Sequence, residues 1–188
     1  MNKTTIAGGN PDLSTAMHPL RQPRHLGDLI NFRLQRCFAL SGAPVVRLLE
    51  GRYSVTRREW RLLATLAEHG PLSPSELAEM AHLDRSRTSR AIGLLAEKGL
   101  LSRQVHPADT RRAQLTLTDE GRQLHAEVFP KVAAINSQLL DALDEPTLQA
   151  LADAIAALTA RAQQLNMDLV RDVKAERQSG GTRRMRSR

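Results

Sequence analysis

One stretch constrains the fold more than any other: Asp84 to Thr118, DRSRTSRAIGLLAEKGLLSRQVHPADTRRAQLTLT. Thr88, Ile92 and Leu95 recur at steps of four and three, which places them on one face of an α-helix turned to a core. Ser86, Arg87, Arg90 and Gly93 then lie on the opposite face. Asp84 is positioned to cap this helix and Gly99 to end it. Leu101 to Val105 and Ala113 to Thr118 alternate as paired strands do, with Pro107, Ala108, Asp109 and Thr110 as the loop between them. A helix rich in Arg, Ser and Thr can enter one groove of double-stranded DNA. The hairpin tip, His106 to Arg112, carries two adjacent arginines and can reach a second groove.

The residues upstream supply the rest of a helix-turn-helix. Ser54 or Thr56 can cap a helix over 57–68, whose stripe is Trp60, Leu63, Ala64 and Ala67, and His69-Gly70-Pro71 stops it. Ser73 caps a short helix with Pro74 at its first position and Glu76 completing a capping box. Leu77, Ala78 and Ala81 face inward, and His82-Leu83 makes the turn into Asp84.

Long helical segments flank this unit. From His25 to Leu40 the residues Leu26, Leu29, Ile30, Arg33, Leu34, Cys37 and Phe38 can form one broad face. Gly42 and Pro44 predict a break or kink, Val45 to Leu49 resumes, and Gly51 ends the segment. After Gly121 a helix carries Leu124, Val128, Val132, Ile135 and Leu139, with a kink expected at Pro130. Asp144 caps the last helix, with Pro146 in its first turn. There Leu148, Leu151, Ile155, Leu158, Ala162, Leu165 and Leu169 follow alternating steps of three and four, a coiled-coil seam. So narrow a seam needs a partner: the first helix of the same chain or, preferred here, a second copy. The expected division is a loosely attached arm over 1–22, a first dimerisation helix region over 23–52, a DNA-binding domain over 53–118, C-terminal dimerisation helices over 119–171 and a basic disordered tail over 172–188. The fold class is mainly α with a small β-hairpin.

Charge is concentrated rather than spread. The 188-residue chain carries +7 overall. Residues 85–112 and 171–188 each hold seven basic against two acidic residues, which leaves the remainder slightly negative. Two basic blocks on a near-neutral body point to localised contact with a polyanion. No apolar run approaches the ~20 residues of a membrane span, and no signal peptide is evident. The expected location is therefore the cytoplasm, at the nucleoid. The single cysteine excludes an intramolecular disulfide. The six histidines show no i,i+4 pair, and His69 and His82 read as helix-end and turn residues. No metal or cofactor is expected. There is no P-loop, dinucleotide turn, nucleophile elbow or paired-carboxylate motif, so an enzyme is not expected.

The expected DNA contacts are Ser73, Ser75, Arg85, Ser86, Arg87, Ser89, Arg90, Arg111 and Arg112. Arg87 and Arg90 are the candidates for base edges, at roughly 1–3 kcal/mol of discrimination per bidentate contact. Ser75 and Ser89 are assigned to phosphate, Arg111 to a minor groove, and Asp109 to holding the loop in shape.

The run Asp109-Thr110-Arg111-Arg112-Ala113-Gln114-Leu115-Thr116-Leu117-Thr118 resembles the D-x-R-x-x-x-L-x-L-T wing signature of the MarR family of bacterial transcriptional regulators. The similarity extends over roughly residues 25–170. One departure is His106, where the family often has an acidic residue before the proline. The resemblance implies a homodimer of winged helix-turn-helix domains, with the recognition helix over 84–97 and Arg111 as the wing arginine. It also implies repression of a nearby operon and release by a small phenolic or aromatic carboxylate effector, as in members that control aromatic or heteroaromatic acid degradation. The expected dimer interface contains Leu26, Leu148, Leu151, Ile155, Leu158 and Leu165. The candidates for an effector pocket between the dimer and DNA-binding lobes are His25, Asn31, Phe32, Arg33, Trp60 and Arg61. For Trp60 and Phe32 a core role is the competing reading. Two further readings stay open: a redox-sensing regulator acting through Cys37, against which stands its expected burial among Leu34, Phe38 and Leu40, and a sequence-tolerant architectural DNA binder using the basic tail.

Overall fold

The computed structural model describes residues 18–106 and 109–172, without the side chains of 105, 106, 109–112 and 169–172. A 3-10 turn, Leu26–Asp28, precedes α1 (Ile30–Tyr53), α2 (Arg57–His69), α3 (Pro74–Met80), α4 (Arg85–Glu97), β1 (Leu101–His106), β2 (Asp109–Leu117), α5 (Asp119–Leu140) and α6 (Glu145–Asp172). The two strands form one antiparallel hairpin. The chain divides into two units at Ile135/Asn136, inside α5.

The core of the first unit is built around α2. Trp60 and Leu63 are buried as their spacing predicts, and Leu62 and Leu66 are buried with them, while Ala67 is exposed rather than inward-facing. The reason is that α2 touches α1, α3, α4 and β2, so its apolar face is broader than one stripe. Leu77, Ala78 and Ala81 of the α3 region and Thr88, Ala91, Ile92 and Leu95 of α4 close the core from one side. Leu101, Ala113, Leu115 and Leu117 close it from the hairpin, and Val128 from α5.

Helix α1 runs unbroken through Gly42, Pro44 and Gly51, contrary to the expected break and early end. Pro44 removes one N–H, and the carbonyl four residues back, on Leu40, lies on an exposed turn where water can satisfy it. Gly42 is buried because the Arg57 guanidinium packs on it: a Cβ there would come within 2.6–2.8 Å of that group. The same guanidinium sits 3.8 Å over the Phe38 ring. Ser54, left-handed at φ 53°, ends the helix.

The hairpin register runs from Leu101↔Leu117 to Val105↔Ala113 and shifts after Val105. Asp109 and Thr110, expected in the loop, belong to β2, whereas Pro107 and Ala108 lie outside the described residues. Leu72, between α2 and α3, bridges to Leu115 through reciprocal backbone bonds of 2.8 and 3.2 Å. Helix α5 starts at Asp119, two residues before Gly121, because the Thr118 hydroxyl accepts the Gly121 amide at 3.0 Å. Pro130 lies within the helix.

The second unit is the end of α5, a turn and α6. Asp144 accepts the Thr147 amide at 3.0 Å, the expected cap. Leu151, Ile155, Leu158 and Leu165 of the seam are all exposed.

Candidate nucleic-acid interface

Three local devices present the recognition helix. Ser73 and Glu76 cap α3 reciprocally, with the Ser73 hydroxyl accepting the Glu76 amide and the Glu76 carboxylate accepting the Ser73 amide. His82, left-handed at φ 51°, makes the turn. Asp84 then caps α4, its Oδ1 accepting the Arg87 amide at 2.9 Å and the Ser86 hydroxyl at 3.0 Å. Its other oxygen lies 3.6 Å from the Arg87 guanidinium. The Arg87 amide first, then Ser86 and the charges of Arg87 and Arg58, hold the Asp84 carboxyl below its usual range and outweigh the opposing effect of burial.

Arg85, Ser86, Arg87, Ser89 and Arg90 are all exposed, while Thr88, Ala91, Ile92 and Leu95 are buried. At about 100° per residue, Ser86, Arg90 and Gly93 point directly away from the core. Arg85 and Ser89 lie toward one flank, and Arg87 and Leu94 toward the other. Ser75 is exposed at the start of α3, whereas Ser73 is half-buried and its hydroxyl is engaged in the cap. Arg111 and Arg112 fall in the backbone of β2; their side chains, and that of Asp109, lie outside the described residues.

An ion pair with one buried partner fixes the far end of α4. Glu59, 1% exposed, receives Lys98 Nζ at 2.8 Å, and the same ammonium donates to the Ser54 carbonyl at 2.8 Å. Burial raises the Glu59 pKa, but Lys98 and Thr56 outweigh it and hold the carboxyl below its ordinary value. One ammonium thus ties α4 to the α1–α2 corner.

The six effector candidates fall in two segments, one over 25–33 and the other at 60–61 of α2. His25 precedes the 3-10 turn, Asn31, Phe32 and Arg33 lie at the exposed start of α1, and Arg33 is engaged with Asp28 and the Gly27 carbonyl. Arg61 reaches the Ala81 carbonyl at 3.4 Å. Trp60 is buried and stacks on His125 at 5.4 Å, and His125 in turn packs on Phe129. A cavity of about 390 Å³ does lie between α2, β2 and α5, lined by Leu66, Ala67, Pro71, Leu117, Arg122 and His125 among others. Arg122 and His125 were not legible as site residues because nothing in the local spacing brings the α5 N-terminus to the end of α2. Burial keeps His125 below its usual pKa, so it stands as a neutral aromatic wall.

Cys37 is exposed, not buried as expected, because Leu34, Phe38 and Leu40 around it are exposed as well. Among the expected interface residues, Leu26, Leu151, Ile155, Leu158 and Leu165 are exposed and Leu148 is half-buried. Among the described residues no cluster of His, Cys, Asp and Glu could hold a metal, and no helix is long and apolar enough to cross a membrane.

A capped, exposed Arg/Ser helix set against a two-stranded hairpin defines a winged helix-turn-helix DNA-binding protein. Residues 53–112 match the MarR family. The chain is 31% identical over 134 residues to the transcriptional repressor MdtR of Bacillus subtilis, across 71% of this chain and 86% of MdtR. It is 30% identical over 113 residues to the transcriptional regulator FarR of Neisseria gonorrhoeae, across 60% and 77%. The crystal structure of the Streptomyces coelicolor regulator PcaV, in complex with its natural ligand, superposes with a TM-score of 0.61 at 28% identity, covering 78% of this chain and 99% of PcaV. This chain belongs to the MarR family of transcriptional regulators.

Proposed function

We propose that the chain is a homodimeric repressor that binds pseudo-palindromic DNA at the nucleoid and is released by a small aromatic carboxylate or phenol. The observation that carries this reading is the exposed Arg/Ser face of α4 beside the hairpin. Ser73, Ser75, Arg85, Ser86, Arg87, Ser89 and Arg90 are its DNA contacts, with Arg111 and Arg112 as the wing contacts and Asp109 as their organiser. The dimer is supported by apolar side chains left open on α1 and α6, among them Leu26, Phe38, Ile155 and Leu158. On this reading 23–52 and 119–171 serve dimerisation and 53–118 binds DNA. Two copies must hold their recognition helices about 34–36 Å apart to read successive turns of one groove. Repression accords with the role of MdtR as a repressor, and effector binding with the ligand held by PcaV.

The test is recovery and sequencing of genomic fragments bound by the purified protein, repeated with Arg111→Ala. The expected result is a small set of pseudo-palindromes, weakened in the variant, bound by a species of twice the chain mass. A featureless set, unchanged in the variant and lost when the tail is removed, would replace this reading by architectural binding. Because Cys37 is exposed, a redox role has an observation in its favour. Peroxide that weakens DNA binding by the native chain but not by Cys37→Ser would establish it.

A further inference from the structure

On the flank of α4 that faces α2, an open groove of about 400 Å³ is lined by Arg58 and Glu59 of α2 and by Arg87, Arg90, Ala91 and Leu94 of α4, with Thr56 at its end. Three guanidinium groups border it against one carboxylate. That carboxylate is already committed: Glu59 is buried and paired with Lys98. The Asp84 carboxylate lies 3.6 Å from Arg87, but three guanidinium groups still leave the groove cationic, and Ala91 and Leu94 offer no side-chain hydrogen bond to compete for an incoming anion. Arg58 is exposed and stands close enough to Asp84, the cap of α4, to act on its charge. The cationic groove thus opens beside the outward face that carries Ser86, Arg90 and Gly93.

Base edges lie along the outward face of a helix seated in a groove, whereas the strand backbone runs along its flank. Guanidinium forks match a phosphate in geometry as well as charge. We propose that Arg58, together with Arg87 and Arg90, forms a seat for a DNA backbone phosphate. Helix α2 is then a contact element in addition to α4 and the hairpin, and Arg87 positions the backbone instead of reading a base. This rests on the DNA-binding role of the family. A free phosphate-type ion shares the chemistry, but so open a groove would hold it weakly, whereas DNA brings the phosphate with the rest of its interface.

The experiment uses the full chain and a duplex recovered by its own binding, with affinity measured against salt concentration. Arg58→Ala should weaken binding roughly tenfold and lower the slope of log K against log salt by about 1, with sequence preference unchanged. Arg58→Lys should restore the slope, and Arg52→Ala, on the last turn of α1, should leave it untouched. Methylphosphonate substitution should locate one symmetry-related pair of phosphates whose neutralisation weakens the native protein but has no further effect on Arg58→Ala. An unchanged slope with native-like melting overturns the proposal, and so does a loss confined to one base pair. Competition by inorganic phosphate that depends on Arg58 while the DNA salt slope does not would also overturn it, assigning the groove to a free ion.

Discussion

Replacing Lys98 with Met would leave the Glu59 carboxylate buried without its cation. Breaking a fully buried ion pair from one side costs about 3–5 kcal/mol. Lys98 keeps 34% of its side chain exposed while Glu59 keeps 1%, so water can partly replace the ammonium and the lower end, about 3 kcal/mol, applies. For a chain of this size that corresponds to a melting temperature lower by roughly 6–12 °C. The pH dependence identifies the cause. In the native chain Glu59 titrates below its ordinary value, so its contribution is present above the unfolded pKa and is lost as pH falls through the folded one. In Lys98→Met burial is opposed only by Thr56, and the folded pKa rises. The gap from the native chain therefore opens as pH rises through the two folded values and closes below them. Urea denaturation followed by helical circular dichroism, at equal protein concentration from pH 4 to 8, should show a gap that is widest near neutrality. Adding Glu59→Gln to Lys98→Met should recover part of the loss. A gap below about 1 kcal/mol at every pH, or no recovery in the double variant, would refute the account of this pair.

Three other outcomes follow. Gly121→Ala should lower stability by roughly 1–3 kcal/mol, because its Cβ would collide with the Leu100 carbonyl oxygen on rigid backbone. Gly93→Ala meets nothing and should raise the melting temperature slightly while reducing DNA affinity in a mobility-shift assay, since it adds bulk to the outward face of α4. Asp84→Ala should lower the melting temperature at neutral pH by removing the cap. Because the folded pKa of Asp84 is depressed, the difference from the native chain should fade as pH falls through that value, which a pH series of thermal melts would reveal. Truncation after Asp172 should leave the recovered pseudo-palindromes unchanged while weakening binding to unrelated DNA, read by competition with bulk genomic fragments.

The caps and turns were legible in the sequence because they depend on residues within four positions of one another. Ser73 with Glu76, Asp84 before Arg85 and the buried trio Thr88, Ile92 and Leu95 all fall where local rules put them. What could not be read depended on contacts across the chain. Pro44 and Gly42 carry a local signal for a break, yet α1 continues, since Arg57 packs on the glycine and the carbonyl freed by the proline faces water. Glu59 looks like an ordinary capping-box carboxylate, and only the approach of Lys98, distant in sequence, shows that it is buried. His125 and Arg122 carry no signal at all until α5 is laid beside α2. Arg87 was legible as exposed, but its turn toward α2 depends on how the two helices pack.

The paired amides and carbonyls of Leu72 and Leu115 make the base of the hairpin part of the framework. Leu115 is fully buried between that bridge and its partner Arg103 on β1. Strand residues farther from the core than Ala113 take no part in this clamp. The arm can therefore gain or lose residues in pairs without disturbing the domain, because its root is fixed while its length is not. Relatives that share this root can differ in how far they reach around a duplex while presenting the recognition helix at the same angle. In such a protein, reach can evolve independently of register.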